Sequence, residues 1–358
     1  MKTIAYYISD YGYGHASRSI AIIRELLKLS LNIRVIVCHS FALSFLRESL
    51  DQNKVAYREI KTDIGYLLKK DSILPDKQKI IEEYMQFVSN WDNRISTEEN
   101  FLKSNEVDLV ISDISPIAFE AAKNLDIPSI GLSNFTWYTA YENFIEKEDL
   151  KVFEEAYKAM NCFISLAASK EPEWGREQNI ERNFYSREVI TNEVWRIKKE
   201  INPFNDKYIV FVGIGMKMDL QFLEQLPLWD NQDCMFVVSS NININRQNII
   251  QIPPWYLESQ NYIAACNFVI TKAGWGTASE AVSSKVPLLI IDRESMQEDQ
   301  NTIAYLKKYN LCKVIDWNEF KCLRLEKGFL DSVMNIKPRI FHNENEVKKI
   351  LQDILQFI

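Results

Sequence analysis

The sequence predicts an α/β protein with two doubly wound, Rossmann-like domains, each built on a parallel sheet covered by helices. Short apolar runs alternate with longer amphipathic stretches along the chain, which is typical of β-α units. A polar, turn-prone stretch at 195–206, with Asn202-Pro203 inside it, separates two such series. The length of 358 residues also suits two domains of ordinary size. We therefore expect an N-terminal domain over 1–200, a C-terminal domain over 206–340 and a closing helix within 341–358.

The first series alternates strands and helices. Its strands are expected at 4–9, 33–39, 56–60, 107–112, 128–132 and 162–166. Its helices are expected near 16–29, 41–49, 77–102, 116–125 and 150–160. Pro116 suits the first turn of its helix, because the N–H that proline lacks would be unpaired there in any case.

The second series begins at Lys207. Its strands are expected at 208–212, 235–239, 268–271, 287–291 and 313–315. The closing helix is expected at 344–356, because apolar residues recur there with helical spacing: Val347, Ile350, Leu351 and Ile354.

Composition excludes several classes of function. The formal net charge is -7 and the basic residues are scattered, so nucleic-acid binding through phosphate neutralisation is not expected. The longest uncharged run, 127–141, is too short and too polar to span a bilayer. Asp10 interrupts the N-terminal apolar run too early for a signal peptide, so we expect a cytoplasmic protein. The six cysteines lack C-x-x-C spacing and no His/Cys cluster exists, so no metal site is expected.

Glycine placement gives the first positive indication of function. Only 10 of 358 residues are glycine, against an average usage of roughly 7%. Six of the ten form G-x-G pairs, each just beyond a predicted strand: Gly12 and Gly14, Gly213 and Gly215, Gly274 and Gly276. In such sheets, ligands bind beyond the carboxyl ends of the strands. Glycine there allows the backbone to approach a ligand closely and to adopt positive φ.

The third glycine loop has the features of a phosphate site. A strand, the loop and a helix follow one another over 268–280, so the amides of Gly274 to Thr277 could bind a diphosphate at the helix N-terminus. Lys272 would neutralise charge, and Glu280 could accept both ribose hydroxyls. The alternative for Glu280 is a carboxylate that merely stabilises the helix start through the macrodipole. Asp299 and Gln300, in a later polar loop, are suited to sugar hydroxyls.

The first glycine loop suggests acid–base chemistry instead. It lacks the third glycine and the later acidic residue of a dinucleotide fingerprint, so an NAD site is disfavoured. His15 lies at the helix start, where it can accept a proton from a hydroxyl as a general base. Asp113 follows a strand and can receive the second ring N–H of His15. The alternatives are that His15 caps its helix and that Asp113 caps the helix beginning at Pro116.

The segment Lys272-Ala-Gly-Trp-Gly-Thr-Ala-Ser-Glu280, with Pro287 and Asp299-Gln300 after it, resembles the nucleotide-sugar signature of UDP-glycosyltransferases and glycosyltransferase family 28. This resemblance implies the GT-B fold, in which two Rossmann-like domains face each other across a cleft. It further implies that Glu280 binds ribose and that Asp299-Gln300 hold the donor sugar. The diphosphate would lie on the loop with Trp275, Gly276 and Thr277, with Gly213 and Gly215 in the second loop and Tyr256 in the base-reading turn. Lys272 replaces the histidine usual in UDP-glycosyltransferases.

The N-terminal half resembles the glycosyltransferase-like region that precedes the kinase module of arabinokinase-type proteins. The resemblance lies in Gly12-Tyr-Gly-His-Ala-Ser-Arg18, in 112–116 and in 133–137. It implies that His15 activates the acceptor and that Asp113 is its partner. The acceptor side would include Gly12, Tyr13, Gly14, Arg18, Asn134 and Trp137.

Together these features predict a metal-independent, inverting glycosyltransferase that needs no cofactor. Its donor would be a nucleotide-diphosphate sugar, with UDP as the expected nucleotide. The acceptor hydroxyl would belong to a small molecule, a glycan or a lipid-linked compound. Two alternatives stay open on the same fold: a nucleotide-sugar hydrolase or epimerase, and a non-catalytic nucleotide-sugar-binding protein.

Overall fold

The computed structural model describes residues 1–29, 32–69, 74–214, 220–293, 296–339 and 345–358. Residue contacts divide the chain into two compact units. Unit 1 comprises Met1–Leu68, Pro75–Asn183 and Glu344–Ile358, and unit 2 comprises Lys69–Leu74 and Phe184–Asn343. Among the described residues, none of the helices combines the length and the apolar character needed to cross a bilayer.

Unit 1 is built on a parallel sheet in which the predicted strands are present. The strands are β1 (Lys2–Ile8), β2 (Ile33–His39), β3 (Val55–Glu59), β4 (Leu109–Asp113), β5 (Ser129–Ser133), β6 (Cys162–Ser165) and β7 (Gln178–Glu181). Their spatial order is β3-β2-β1-β4-β5-β6-β7, and every neighbouring pair is parallel. The order reverses between β1 and β4, which is where open α/β sheets bind ligands.

Helices connect these strands. They are α1 (Tyr13–Lys28), α2 (Leu43–Ser49), α3 (Lys77–Val88), α4 (Trp91–Ser104), α5 (Ile117–Asn124), α6 (Trp137–Tyr141) and α7 (Lys147–Lys158). The single helix expected over 77–102 is wrong, because the chain breaks at Ser89 and Asn90 and restarts as α4. β7 was not expected, since a short polar strand at a sheet edge carries no apolar run.

Unit 2 repeats the same architecture, which confirms the fold class of two doubly wound parallel sheets. Its strands are β8 (Tyr208–Gly213), β9 (Cys234–Val238), β10 (Ile249–Gln251), β11 (Phe268–Lys272), β12 (Leu288–Ile291) and β13 (Cys312–Ile315). The order is β10-β9-β8-β11-β12-β13, so the reversal falls between β8 and β11. Its helices are α8 (Thr191–Ile201), α9 (Leu220–Glu224), α10 (Ser259–Ala265), α11 (Trp275–Ser283), α12 (Gln297–Lys308), α13 (Trp317–Lys321) and α14 (Lys327–Met334), with a 3-10 turn at Pro227–Asp230.

The junction between the units differs from the expected domain boundary. The units divide at Asn183 and Phe184, before the predicted limits of 200 and 206. Residues 195–201 of the stretch expected to be a turn-prone linker belong to α8, which packs against α10 of unit 2, whereas 202–206 lie outside the helices and strands. Ile197 and Ile201 recur at helical spacing and are buried, and this periodicity outweighs the polar composition of the stretch.

The closing helix belongs to unit 1. α15 (Glu346–Leu355) packs against α1, and residues 341–344 of the predicted C-terminal segment lie outside the described residues. Arg182 forms a two-pronged ion pair with Asp353, with Nε and Nη2 each 2.7 Å from a carboxylate oxygen. The C-terminal helix is therefore held to unit 1, by α1 and by Arg182.

Asp10 joins the carboxyl ends of three strands in unit 1. Its carboxylate follows β1 and accepts hydrogen bonds from the Ser40 amide and hydroxyl after β2, each at 2.8 Å. It also accepts from the Thr62 amide after β3 at 3.0 Å. Burial opposes its ionisation, but His39 and the amide donors outweigh burial and lower the pKa of Asp10 to about 2.

A neighbouring carboxyl, Asp63, has the opposite environment. It is buried, and neither of its oxygens forms a hydrogen bond within the described part of the chain. Burial, with the charge of Asp10 acting in the same direction, raises the pKa of Asp63 to about 7. Two carboxyls that follow different strands of the same sheet therefore prefer different protonation states.

Asp10→Asn and Asp63→Asn should change stability with opposite signs. A carboxylate whose pKa falls to about 2 on folding stabilises the protein by about 2 kcal/mol above pH 4, and this is lost as the pH falls. Asp10→Asn should remove that stabilisation at pH 7. A carboxyl with a raised pKa costs stability as the pH rises from 4 to 7, so Asp63→Asn should stabilise by up to about 4 kcal/mol at pH 8 and little at pH 4.

Urea unfolding at pH 4 and pH 8, followed by far-ultraviolet circular dichroism, measures both effects. An Asp63→Asn variant whose stability differs from that of the unsubstituted protein equally at both pH values would contradict the burial of an ionisable carboxyl.

Candidate active site

His15 and Asp113 lie where the strand order of the first sheet reverses. Asp113 ends β4 and is in register with Ile8 of β1, and His15 lies in the first turn of α1 just after β1. His15 Nδ1 is 2.9 Å from Asp113 Oδ1, and both residues are buried. The structure thus brings together the two residues that the sequence predicts as a base and its carboxylate partner, and their catalytic roles stay predictions.

Arg18, one turn further along α1, binds the same carboxylate. Its Nε donates to Asp113 Oδ2 at 2.6 Å, and its Nη2 donates to Oδ1. Nη1 donates to Asn134 Oδ1 at 2.7 Å. Nη2 also lies 2.9 Å from Ser133 Oγ and 3.0 Å from His15 Nδ1. A single guanidinium therefore joins α1 to the ends of β4 and β5.

The proton count of this network favours one tautomer of the His15 ring. Nη2 of Arg18 has two protons, which Asp113 Oδ1 and Ser133 Oγ can accept. His15 Nδ1 then keeps its own proton and donates it to Asp113 Oδ1. This tautomer leaves the lone pair on Nε2, which makes no hydrogen bond to any of the described residues and has the form that a general base requires.

Burial and charge set the protonation states of the network. Burial raises the pKa of Asp113, but Arg18 and His15 outweigh it and bring the pKa down to about 2. Burial lowers the pKa of His15 below 6.5, and Arg18 acts in the same direction while Asp113 opposes it. At neutral pH the three groups are therefore an uncharged imidazole, a carboxylate and a guanidinium, with no net charge.

The backbone after Asp113 is strained. Ile114 has a φ of 59°, which is a true outlier for a β-branched residue. Its carbonyl accepts a hydrogen bond from the Tyr157 hydroxyl, which holds this conformation. Such strain costs on the order of 1–3 kcal/mol and concentrates at functional sites. The strain at Ile114 therefore indicates a functional site at the end of β4, independently of His15.

The glycines of the first loop leave open space beside His15. Gly12 precedes α1 with a φ of 83°, a conformation that favours glycine. A Cβ added at Gly12 or Gly14 would meet no atom within 4 Å. Tyr13 between them is exposed. These three residues of the expected acceptor side are therefore accessible.

The other residues expected on the acceptor side are buried. Arg18 and Asn134 bond to each other within the network that holds Asp113. Trp137 is 0% exposed and stacks on Tyr141, with 5.2 Å between ring centroids. Arg18, Asn134 and Trp137 are thus engaged within the protein, and their place on the acceptor side stays a prediction. Their side chains bond to or pack against residues of other elements, and these contacts hold the edge of the sheet in place.

The second sheet also carries glycine loops at its reversal point. Gly213 ends β8, and its carbonyl accepts a hydrogen bond from the Thr271 hydroxyl of β11 at 2.7 Å. Gly215 lies outside the described residues. Gly274 follows β11 and precedes α11 as its N-cap residue.

The first turn of α11 presents backbone donors. Gly274 provides no side-chain cap, and the first turn contains no acidic residue. The helical ladder starts with the Ala278 amide, which donates to the Gly274 carbonyl at 3.1 Å. The preceding N–H groups lie outside the ladder: those of Trp275, Gly276 and Thr277. Lys272 runs alongside, because a Cβ on Gly274 would lie 3.4 Å from Lys272 Cε. Such a cationic helix start favours an anionic ligand.

Glu280 is paired with an arginine that sequence reasoning missed. Arg187 Nη2 donates to Glu280 Oε1 at 3.0 Å, and both residues are buried. The two residues are far apart in sequence, and no local pattern around Arg187 indicates a partner. The prediction that Glu280 binds ribose therefore concerns a carboxylate that is already held by a cation.

In the expected base-reading turn, the accessible aromatic ring is not the predicted one. Tyr256 donates from its hydroxyl to Glu193 Oε2 at 3.1 Å and accepts from Asn261 Nδ2 at 3.1 Å. Trp255 beside it is 73% exposed. Tyr256 is thus a residue that secures the turn to α8 and α10, and Trp255 is the ring available for stacking.

Asp299 and Gln300 are also already engaged. Asp299 is buried, and its Oδ2 accepts from Arg293 Nε at 2.7 Å. Gln300 Nε2 donates to Asp292 Oδ1 at 2.7 Å. Arg293, which follows β12, therefore already binds the Asp299 carboxylate, a contact that the sequence spacing does not reveal. The role of Asp299 towards sugar hydroxyls stays a prediction.

The ring of His15 should titrate below pH 6.5, because burial disfavours its cationic form. Asp113→Asn should lower the midpoint further, since the Asp113 charge raises the pKa of His15. Proton NMR of the Cε1–H signal measures this, with His15→Gln identifying the resonance. Asp108→Asn removes a more exposed carboxylate that pairs with Lys2, and it should leave the midpoint unchanged. A midpoint above 6.5 would contradict this account of the network.

Comparison with known proteins finds a separate family model for each half of the chain. Residues 2–170 match the family model described as glycosyl transferase family 1, and residues 217–357 match that of the glycosyltransferase family 28 C-terminal domain. L-arabinokinase of Arabidopsis thaliana is 24% identical over 347 residues, which cover 93% of this chain and 32% of the relative. The chain thus spans about a third of the length of that curated relative.

Solved structures show the fold. The glycotransferase of kitacinnamycin aligns with a TM-score of 0.65 at 13% identity, with 99% of each chain covered. The UDP-GlcNAc 2-epimerase from Neisseria meningitidis, bound to UDP-GlcNAc, aligns with a TM-score of 0.61 at 14% identity over 99% of this chain and 100% of its own. The chain therefore has the GT-B fold, and each of its halves matches a glycosyltransferase family model.

Proposed function

We propose that the chain is a metal-independent, inverting glycosyltransferase that moves a sugar from a UDP-linked donor to an acceptor hydroxyl. The observation that carries this proposal is the pair of ligand-binding edges at the two points of strand reversal. One edge holds a neutral histidine with a carboxylate partner, and the other holds an uncapped helix start beside a lysine. The family models of both halves support the same class of reaction.

Unit 2 supplies the donor site in this proposal. The N–H groups at the start of α11 and the Lys272 ammonium bind the diphosphate, because helix N-termini and cations favour anions. Glu280 accepts the ribose hydroxyls, and Trp255 stacks on the base. The epimerase with the same fold holds UDP-GlcNAc, which supports a UDP-linked donor.

Unit 1 supplies the acceptor side. His15 Nε2 takes the proton of the acceptor hydroxyl while the oxygen attacks the anomeric carbon. The bond between that carbon and the diphosphate oxygen breaks, and the diphosphate leaves with the electron pair. Attack opposite the leaving group inverts the configuration. The helix dipole of α11 and Lys272 stabilise the leaving charge, so the proposed mechanism assigns no role to a metal.

The epimerase structure also favours a second candidate, a nucleotide-sugar hydrolase or epimerase. Such an enzyme would bind the same donor in unit 2 but would release UDP without an acceptor, or form a changed sugar. A non-catalytic binding protein would bind UDP and perform neither reaction. Binding and turnover measurements therefore separate the three.

Isothermal titration of UDP should show binding that depends on Glu280. Glu280→Gln should weaken binding by about tenfold or more, because a charge-assisted hydrogen bond becomes a neutral one. Glu224→Gln changes an exposed glutamate of the same unit and should leave the affinity unchanged. Absence of UDP binding to the unsubstituted chain would overturn the proposal.

His15→Gln should abolish transfer while leaving UDP affinity intact. General-base catalysis contributes about 10²–10⁴-fold, so acceptor-dependent UDP release should fall by that factor. Release is measured with a panel of UDP-sugars, with and without alcohol and sugar acceptors. Acceptor-independent release that His15→Gln leaves unchanged would contradict the role of His15 and favour a hydrolase.

A further inference from the structure

Arg187 is a buried cation next to the proposed nucleoside site. Its side chain is only 1% exposed. Nη1 donates to the Leu257 carbonyl at 2.6 Å, and Nη2 donates to Ser259 Oγ at 3.0 Å. The same Nη2 donates to Glu280 Oε1 at 3.0 Å. One guanidinium therefore joins the carboxylate on α11 to the chain that runs from the 254–256 turn into α10.

The rest of the segment around Arg187 also packs on α11. The rings of Phe184 and Tyr185 lie 5.3 and 5.4 Å from the ring of Trp275. The Tyr185 carbonyl accepts a hydrogen bond from the Ser279 hydroxyl. The first residues of unit 2 therefore hold the first two turns of α11, and Arg187 is the charged group among these contacts.

We propose that Arg187 is a positioning residue for nucleoside recognition, a role that rests on the proposed function. It holds the Glu280 carboxylate in one orientation for the ribose hydroxyls. Through the Leu257 carbonyl it fixes the turn that carries Trp255, the exposed ring proposed to stack on the base. A guanidinium suits this task because its donors are arranged in a rigid plane, so each bond constrains the others.

This role differs from simple structural support in one measurable respect. Arg187 contacts Glu280, which is proposed to bind ribose, and the Leu257 carbonyl beside the turn proposed to stack on the base. Its other partners are Ser259 and, at 3.8 Å, Glu258. The proposed diphosphate donors are a separate set, the amides of Trp275 to Thr277 and Lys272. Loss of Arg187 should therefore impair the discrimination of nucleosides and spare the binding of a bare diphosphate. General loosening of unit 2 would weaken both.

Calorimetry with UDP, 2′-deoxy-UDP and inorganic pyrophosphate tests this. The unsubstituted chain should prefer UDP over 2′-deoxy-UDP, and Arg187→Met should weaken UDP binding by about tenfold or more, since charge-assisted hydrogen bonds are lost. The ratio of the affinity for UDP to the affinity for 2′-deoxy-UDP should fall towards one, and the affinity for pyrophosphate should change less than about twofold. Arg187→Lys keeps the charge without the planar fork and should give an intermediate preference.

Arg246→Met is the matched control in the same unit. Arg246 bonds to Asp230 at 2.8 Å and to the Glu224 carbonyl at 3.1 Å, so its loss should leave all three affinities unchanged. Thermal unfolding reports whether each variant folds. If Arg187→Met does not fold, the preference of the Arg187→Lys variant for UDP over 2′-deoxy-UDP tests the role of Arg187.

The outcomes separate the two proposals. If neither UDP nor pyrophosphate binds the unsubstituted chain, the proposed function fails and the role of Arg187 fails with it. If UDP binds and the Arg187 variants keep the full preference for UDP, only the role of Arg187 is overturned. Equal losses for UDP and pyrophosphate would likewise overturn it in favour of structural support.

Discussion

The buried carboxylate of Asp113 is the charge around which the ligand-binding edge of unit 1 is arranged. It ends β4, and both of its oxygens are bound by side chains of α1, from Arg18 and His15. Through Arg18 the same charge reaches Asn134 beyond β5. Removing one partner of such a buried pair costs about 3–5 kcal/mol, because an uncompensated charge stays behind. The base and the fold of this edge therefore depend on the same interaction.

Arg18 changes what Asp113 can do for the histidine. In a simple dyad the carboxylate charge would act on the imidazole alone and raise its pKa. Here burial disfavours the imidazolium and the carboxylate also faces a permanent cation, so the pKa of His15 stays below its ordinary value. The network therefore orients the ring and keeps it neutral, so that His15 is ready to accept a proton at neutral pH. When His15 accepts a proton, the buried network of His15, Asp113 and Arg18 changes from no net charge to one positive charge.

Local patterns in the sequence were enough to predict the sheets and the edge on which the site lies. Strands buried on both faces are continuous apolar runs, and the chain order of β-α units places Asp113 beside the loop of His15. Scarce glycines identified the loops at both reversal points. β7, β10 and α8 were missed. The two strands are short and lie at sheet edges, and α8 is a polar helix with few buried residues.

The partners of the site residues could not be predicted from the sequence. The sequence around Arg18 does not indicate that Arg18 binds Asp113 rather than an acceptor. The sequence around Asp299 likewise does not indicate that Arg293 binds its carboxylate. The contact of Arg187 with Glu280 joins segments far apart in the chain. Trp137 and Tyr256 likewise have the residue types of ligand-binding positions, and only packing shows that one is buried and the other is bonded to Glu193.

In the proposed function, unit 2 binds a nucleotide diphosphate at the start of α11, and a crystal structure of the chain with UDP is the decisive measurement. We expect phosphate oxygens within hydrogen-bond distance of the amides of Trp275 to Thr277, and ribose hydroxyls within reach of Glu280. UDP bound elsewhere, with no phosphate at the start of α11, would overturn the proposed donor site.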